Sequence, residues 1–122
     1  MLKKILIIVF ITICTPIFAG EYEDAIKSND NVLLYLYAPS CNYCKIFNPN
    51  YENFVKIFQK KCKFLKINTE TSYGRRLAEQ FRIKFVPYVI LVKNRESKGI
   101  VITPNCLIEY SCSEKILNDY LN

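Results

Sequence analysis

Ala38-Pro39-Ser40-Cys41-Asn42-Tyr43-Cys44-Lys45 lies where a continuous apolar run, Val32 to Tyr37, gives way to an amphipathic pattern, and its reading decides the fold. A helix opening at Cys41 carries Cys44 one turn further along the same face, so the two thiols come within bonding reach. A Cys-X-X-Cys pair at a strand-to-helix junction points to reversible thiol and disulfide exchange.

Working outward, Val32-Leu33-Leu34-Tyr35-Leu36-Tyr37 shows no polar alternation, which fits a central strand covered on both faces. A short helix over Glu21 to Lys27 precedes it, ended by the turn cluster Ser28-Asn29-Asp30-Asn31. Beyond the cysteines, Phe47, Tyr51, Phe54, Val55 and Phe58 recur at helical spacing, with Asn48, Asn50, Glu52, Asn53, Lys56 and Gln59 opposite. Pro49 falls inside this long helix and is expected to kink it, because proline lacks the amide hydrogen and crowds the preceding turn.

Lys63 to Asn68 reads as a second strand, and Thr69 to Ser72 as a polar turn into a helix with Leu77, Ala78 and Phe81 on one face. Ile83 to Pro87 is an extended loop, Tyr88 to Val92 a buried strand, and Lys93 to Lys98 a turn into Gly99 to Ile102. The last helix is expected to begin at Ser113 as N-cap, with Glu114 in the first turn and Ile116, Leu117, Tyr120 and Leu121 inward. After the first helix the order is strand, helix, strand, helix, hairpin, helix. No repeat, low-complexity tract or interdomain linker interrupts it.

The N-terminus has a different character. Lys3 and Lys4 precede an apolar run from Ile5 to Phe18, broken by Pro16 and followed by Ala19 and Gly20, the pattern of a secretory signal peptide cleaved after Ala19. A membrane anchor is the competing reading, but the run falls short of the roughly 20 residues a bilayer span needs. Lipidation at Cys14 is weaker still, since bulky Ile13 precedes the sulfur. The expected organisation is a signal peptide over 1–19 and one domain over 20–122, large enough for a single small core.

Loss of Lys3 and Lys4 lowers the net charge from +6 to +4. The positive charge shows no unbroken basic run, so nucleic acid is not an expected partner. Histidine is absent, which removes the commonest general base and metal ligand. Of six cysteines, removal of Cys14 leaves Cys41, Cys44, Cys62, Cys106 and Cys112, an odd number. Cys106 and Cys112 either staple a local loop or form a second redox centre; Cys62, before an apolar run, reads as a buried thiol.

Taken together, the run VLLYLYAPSCNYCK, Pro49 five residues after Cys44, the Lys66-Ile67-Asn68 triplet and the Phe81 to Asn94 run FRIKFVPYVILVKN resemble a thioredoxin-fold protein over nearly all of residues 20–122. The resemblance implies an α/β fold, a central mixed sheet of about four strands flanked by about four helices. It implies that Pro87 is cis and faces the cysteines, that Pro49 kinks the helix, and that Val86 holds the backbone position where an extended substrate docks. Tyr43 borders the same site. Phe85 and Tyr88 either rim this groove or pack in the core.

The mechanism expected on these grounds gives Cys41 the attacking role, its thiolate stabilised by the amides and dipole of a helix N-terminus, and Cys44 the resolving role. Two departures stand out. Tyr35 occupies the place of the buried carboxylate that thioredoxins keep in the first core strand, and Lys66, which accompanies that acid in the family, either favours a nearby thiolate or snorkels to solvent. The inner pair Asn42-Tyr43 differs from that of thioredoxins and of strong periplasmic oxidants, with tyrosine closer to glutaredoxins and disulfide isomerases.

The expected function is therefore an exported thiol-disulfide oxidoreductase that reduces or isomerises disulfides in other exported proteins. It would work as a monomer in a bacterial periplasm with no dissociable cofactor, no metal and no lasting membrane insertion, recycled by a redox partner. Secretion, or anchoring by an uncleaved signal, is the alternative location. A non-catalytic binding module with a static Cys41–Cys44 bridge is the alternative function.

Overall fold

The computed structural model describes residues 20–93 and 99–122. The expected signal peptide, Cys14 and the 94–98 part of the hairpin turn lie outside the described residues. Nine elements follow in order: α1 (Glu21–Ser28), β1 (Asn31–Tyr37), α2 (Asn42–Phe58), β2 (Lys63–Asn68), α3 (Ser72–Gln80), β3 (Tyr88–Lys93), β4 (Ile100–Ile102), α4 (Pro104–Ile108) and α5 (Tyr110–Leu121). The four strands form one mixed sheet in the order β2-β1-β3-β4. β1 runs parallel to β2 and antiparallel to β3, and β4 returns antiparallel to β3.

The unbroken apolar run of β1 is explained by its central place. Alternate residues point to opposite faces, and each face has its own core. Leu33 and Tyr35 pack with Val89 and Leu91 of β3 against Phe47, Tyr51, Phe54 and Phe58 of α2, together with Leu107 of α4 and Leu117 and Leu121 of α5. Val32, Leu34 and Leu36 pack on the other side with Ile90 and Val92, against Tyr22 and Ala25 of α1 and Leu77 of α3. β1 from Val32 to Leu36 is consequently buried throughout.

α3 is seated by a close approach. Thr71 caps it by accepting from the Gly74 amide at 3.0 Å, and Gly74 lies so near the Asn68 carbonyl that a Cβ there would collide with backbone. Glycine is needed for space, since its φ is not in the left-handed region.

Among the described residues five helices accompany the sheet, in keeping with the about four expected. A short α4 intervenes between β4 and the last helix, with Pro104 in its first turn where a missing amide costs nothing. The last helix begins at Tyr110 behind the N-cap Glu109, not at Ser113. Ser113 is 1% exposed, and its hydroxyl donates to the carbonyls of Glu109 and Tyr110 at 3.4 and 3.3 Å. It satisfies itself inside the helix in place of capping it. Tyr120, expected inward, is exposed, while Leu117 and Leu121 carry the buried face. Among the described residues no helix is long and apolar enough to cross a membrane.

Candidate redox site

Cys41 is the N-cap of α2, with φ −78° and ψ 113°. Its amide donates to the Ala38 carbonyl at 3.1 Å, its carbonyl accepts from the Lys45 amide at 3.2 Å, and its Sγ accepts from the Cys44 amide at 3.1 Å. The sulfur therefore stands where a serine or aspartate oxygen usually caps a helix, against amide hydrogens and the positive end of the dipole. Cys41 and Cys44 are joined as a disulfide, with Cα atoms 5.2 Å apart. Their surroundings are unequal: Cys41 is half-buried and Cys44 is 1% exposed.

The pairing of Leu36 with Tyr88 brings Pro87 beside the end of β1, from which the chain runs through Pro39 and Ser40 to Cys41. The Val86–Pro87 bond is cis. Pro87 is buried and Val86 half-buried, and both Val86 and Cys41 pack against the core cluster beneath α2. Around this junction Tyr43, Ile46 and Phe85 are exposed by 58%, 54% and 57%. Of the two aromatics with two open readings, Phe85 lies on the surface and Tyr88 packs in the second core beside Phe81, centroids 6.3 Å apart.

Beneath Cys44 stands Tyr35, fully buried. Its ring meets Phe47 edge-on at 4.9 Å and lies 5.1 Å from Tyr51. Its hydroxyl donates to Asn48 Oδ1 at 2.8 Å, with the Cys44 carbonyl at 3.3 Å as a second acceptor. Burial raises the hydroxyl's pKa well above its ordinary value, with the neighbouring Tyr37 and Tyr51 adding to the shift. It is a neutral donor near pH 7 where the thioredoxin resemblance implies an ionisable acid.

Asn48 was expected on the solvent face of α2 and is instead half-buried, facing Tyr35. The i, i+4 spacing from Cys44 to Asn48 is the sequence signal that identifies it. Asn50, also expected outside, is half-buried and donates to the Leu107 carbonyl at 3.3 Å, tying α2 to α4. Pro49 lies between them, inside α2, where it withholds the amide that would bond the Lys45 carbonyl.

Lys66 stands opposite Tyr35 in the β1–β2 register. It is exposed, its Nζ 4.7 Å from the Tyr37 ring centroid and 5.8 Å from that of Tyr35, a cation–π arrangement. Cys106 and Cys112 are bridged, Cα atoms 5.1 Å apart, across the α4–α5 junction. Cys62 is a buried free thiol; desolvation pushes its pKa up to about 12 despite a backbone hydrogen bond from Leu33 that opposes the shift. Among the described residues no group of three or more cysteine or carboxylate side chains is arranged to hold a metal ion.

A family model described as Thioredoxin matches residues 14–106. Thioredoxin M4 of the chloroplast of Arabidopsis thaliana is 36% identical over 84 residues, 68% of this chain and 42% of that protein. The thioredoxin of Rickettsia bellii (strain RML369-C) is 31% identical over 91 residues, 72% of this chain and 85% of that protein. The solution structure of oxidised thioredoxin from Plasmodium falciparum matches with a TM-score of 0.69 at 21% identity, covering 86% of this chain and 94% of that one. At that identity the likeness speaks to the fold, which is thioredoxin-like. The chain spans between two fifths and about half of the length of the chloroplast relatives it matches, 40% to 52%.

Proposed function

Since the chain belongs to the thioredoxin family, we propose that it is a thiol-disulfide oxidoreductase in which Cys41 attacks and Cys44 resolves. The observation that carries this reading is the Cys41–Cys44 disulfide at the N-terminus of α2, one sulfur half-buried and the other enclosed. In the reduced protein the Cys41 thiolate attacks one sulfur of a substrate disulfide. A mixed disulfide forms and the first substrate thiolate leaves. The Cys44 thiolate then attacks Cys41 Sγ, the second substrate thiol departs, and the Cys41–Cys44 bond closes. Two electrons pass to the substrate; the reverse sequence oxidises a dithiol.

The Cys44 amide that bonds Cys41 Sγ favours the thiolate form of Cys41, which makes it both attacking and leaving group. Val86 supplies backbone beside the site for an extended substrate, in the manner of strand addition, and exposed Tyr43 and Phe85 offer apolar contact. The neutral Tyr35 hydroxyl provides no carboxylate behind Cys44 to take its proton. Deprotonation of the resolving thiol is accordingly left to water or to the departing substrate thiolate, which favours slow turnover over fast general reduction.

We further read the substrates as cysteine-containing exported proteins and the site of action as a bacterial periplasm, on the strength of the Lys3-Lys4 and Ile5 to Phe18 pattern. A thiol-based redox partner returns the two electrons. Insulin reduction by the full chain and by Cys41→Ser is the direct test. Loss of turnover in the variant is expected; equal turnover removes the mechanism. A reduction potential well below about −300 mV, the range of structural disulfides, replaces this reading with a static bridge in a binding module.

A further inference from the structure

Lys56, Lys60, Lys61, Lys63 and Lys66 are separated in sequence by other residues, and the fold gathers them. α2 carries Lys56 in its last turn, the turn after it delivers Lys60 and Lys61, and β2 delivers Lys66 on the α2 side of the sheet and Lys63, by strand alternation, at its first position on the other side. All five are exposed. β2 is an edge strand, paired with β1 along one side and unpaired along the other among the described residues. Lysine on an edge strand often serves to deter pairing with other chains. That purpose accounts for Lys63 and Lys66 and leaves the three lysines outside the strand without one.

The same seam is concave. At its end, where β1 and β2 begin, a depression of about 520 Å³ is bounded by Asn31, Lys60, Lys61 and Lys63. Beside it, between α2 and β2, a groove of about 410 Å³ has Tyr51, Val55 and Phe64 as its apolar wall and Lys56 at its rim. Two carboxylates, Asp30 and Glu52, line these depressions with four lysines; Glu21 and Asp24 of α1 lie in the adjoining depression beside Lys63, and Lys61 Nζ donates to Asn122 Oδ1. Asn31 Nδ2 donates to the Lys61 carbonyl at 3.0 Å, while its Oδ1 is buried with no hydrogen-bond partner among the described residues.

An occupant must therefore bring negative charge for the lysines and apolar groups for the Tyr51 to Phe64 wall. We propose that the α2–β2 seam is a docking site for an extended acidic segment of a partner protein. Alternating carboxylate and apolar side chains meet the lysines and the groove. A bilayer surface is flat on this scale and does not enter a concave seam. The pocket lies at the start of β1 whereas Cys41 follows its end, so a docked segment leaves the disulfide accessible. The inference stands apart from the catalytic reading.

The test is fluorescence anisotropy of the full chain with a fluorescein-labelled peptide alternating glutamate and leucine. Saturable binding is expected, weakened by added salt and weakened about tenfold in the Lys60→Glu/Lys63→Glu double variant. Lys115→Glu, an exposed charge change on α5, should retain full affinity, and a peptide with serine in place of leucine should bind less well. Insulin reduction by the double variant should match the unaltered protein, so that failure of docking and failure of catalysis are separately visible. Absence of saturable peptide binding overturns the proposal, as does binding indifferent to the double substitution. So does Lys60- and Lys63-dependent binding confined to phosphatidylglycerol vesicles or to a single-stranded DNA oligonucleotide.

Discussion

Replacing Tyr35 by phenylalanine isolates what the hydroxyl beneath Cys44 does. The ring keeps its packing against Phe47 and Tyr51, so no cavity opens. What disappears is the donor to Asn48 Oδ1 at 2.8 Å and to the Cys44 carbonyl at 3.3 Å. Asn48 is then left with an acceptor in a half-buried site, and removing one partner of such a bond costs about 1–3 kcal/mol. A loss of 1 kcal/mol lowers Tm by roughly 4–8 °C in a domain of this size.

Urea denaturation provides the measurement, with an unchanged slope and a lowered midpoint as the expected result. Tyr35→Ala sets the scale, because it deletes the ring as well and should cost about 3–5 kcal/mol. A double-mutant cycle with Asn48→Ala should return a coupling of about 1 kcal/mol. If Tyr35→Phe matches the unaltered protein, or if the two substitutions add independently, the hydroxyl does not hold the first turns of α2. Because the hydroxyl stays protonated through the neutral range, Tyr35→Phe should also leave the shape of the activity-against-pH profile unchanged. A shifted inflection would show that Tyr35 takes part in proton transfer.

Other outcomes follow from the same geometry. Cys62 should be silent to a thiol reagent such as DTNB in the native oxidised protein and should react on unfolding; rapid labelling of the folded chain would contradict its burial. Its thiol pKa is raised from an ordinary 9.0 to about 12, so the fold favours the neutral form. That stabilisation is fully present below pH 9 and is lost as pH rises through about 12. The stability gap between the unaltered protein and Cys62→Ala, followed by urea midpoints, should therefore narrow above pH 9. Opening the Cys106–Cys112 bridge by paired serine substitutions should cost about 2 kcal/mol, the chain-entropy value for so short a loop, read as a lower midpoint with insulin reduction retained. Gly74→Ala should destabilise by about 1–3 kcal/mol as the new methyl meets the Asn68 backbone, and a neutral result would show that α3 shifts freely.

Much of this protein was legible from one dimension. The apolar run of β1, the helical spacing of α2 and the Cys-X-X-Cys at their junction are patterns within a few residues of one another, and they place two sulfurs on one helix turn whatever surrounds them. The continuous apolar run of β3 and the triplet at Lys66 belong to the same class. Local signals failed where a residue's fate depends on what faces it. Asn48 and Asn50 look like solvent-face residues until β1 and α4 are seen to meet that side of α2 with Tyr35 and the Leu107 carbonyl. Ser113 reads as a cap until the Cys106–Cys112 bridge and α4 show that the helix has already begun.

The amino-acid order by itself determined the strands, the long helix and the pair of thiols, because strand and helix periodicity and cysteine spacing act over a few residues. Only the tertiary structure decided that the Tyr35 hydroxyl donates to Asn48 beneath Cys44, that Cys62 is buried, and that scattered lysines border the open edge of β2. Each of these depends on which elements come face to face, and that is fixed by how two cores close on opposite sides of one sheet.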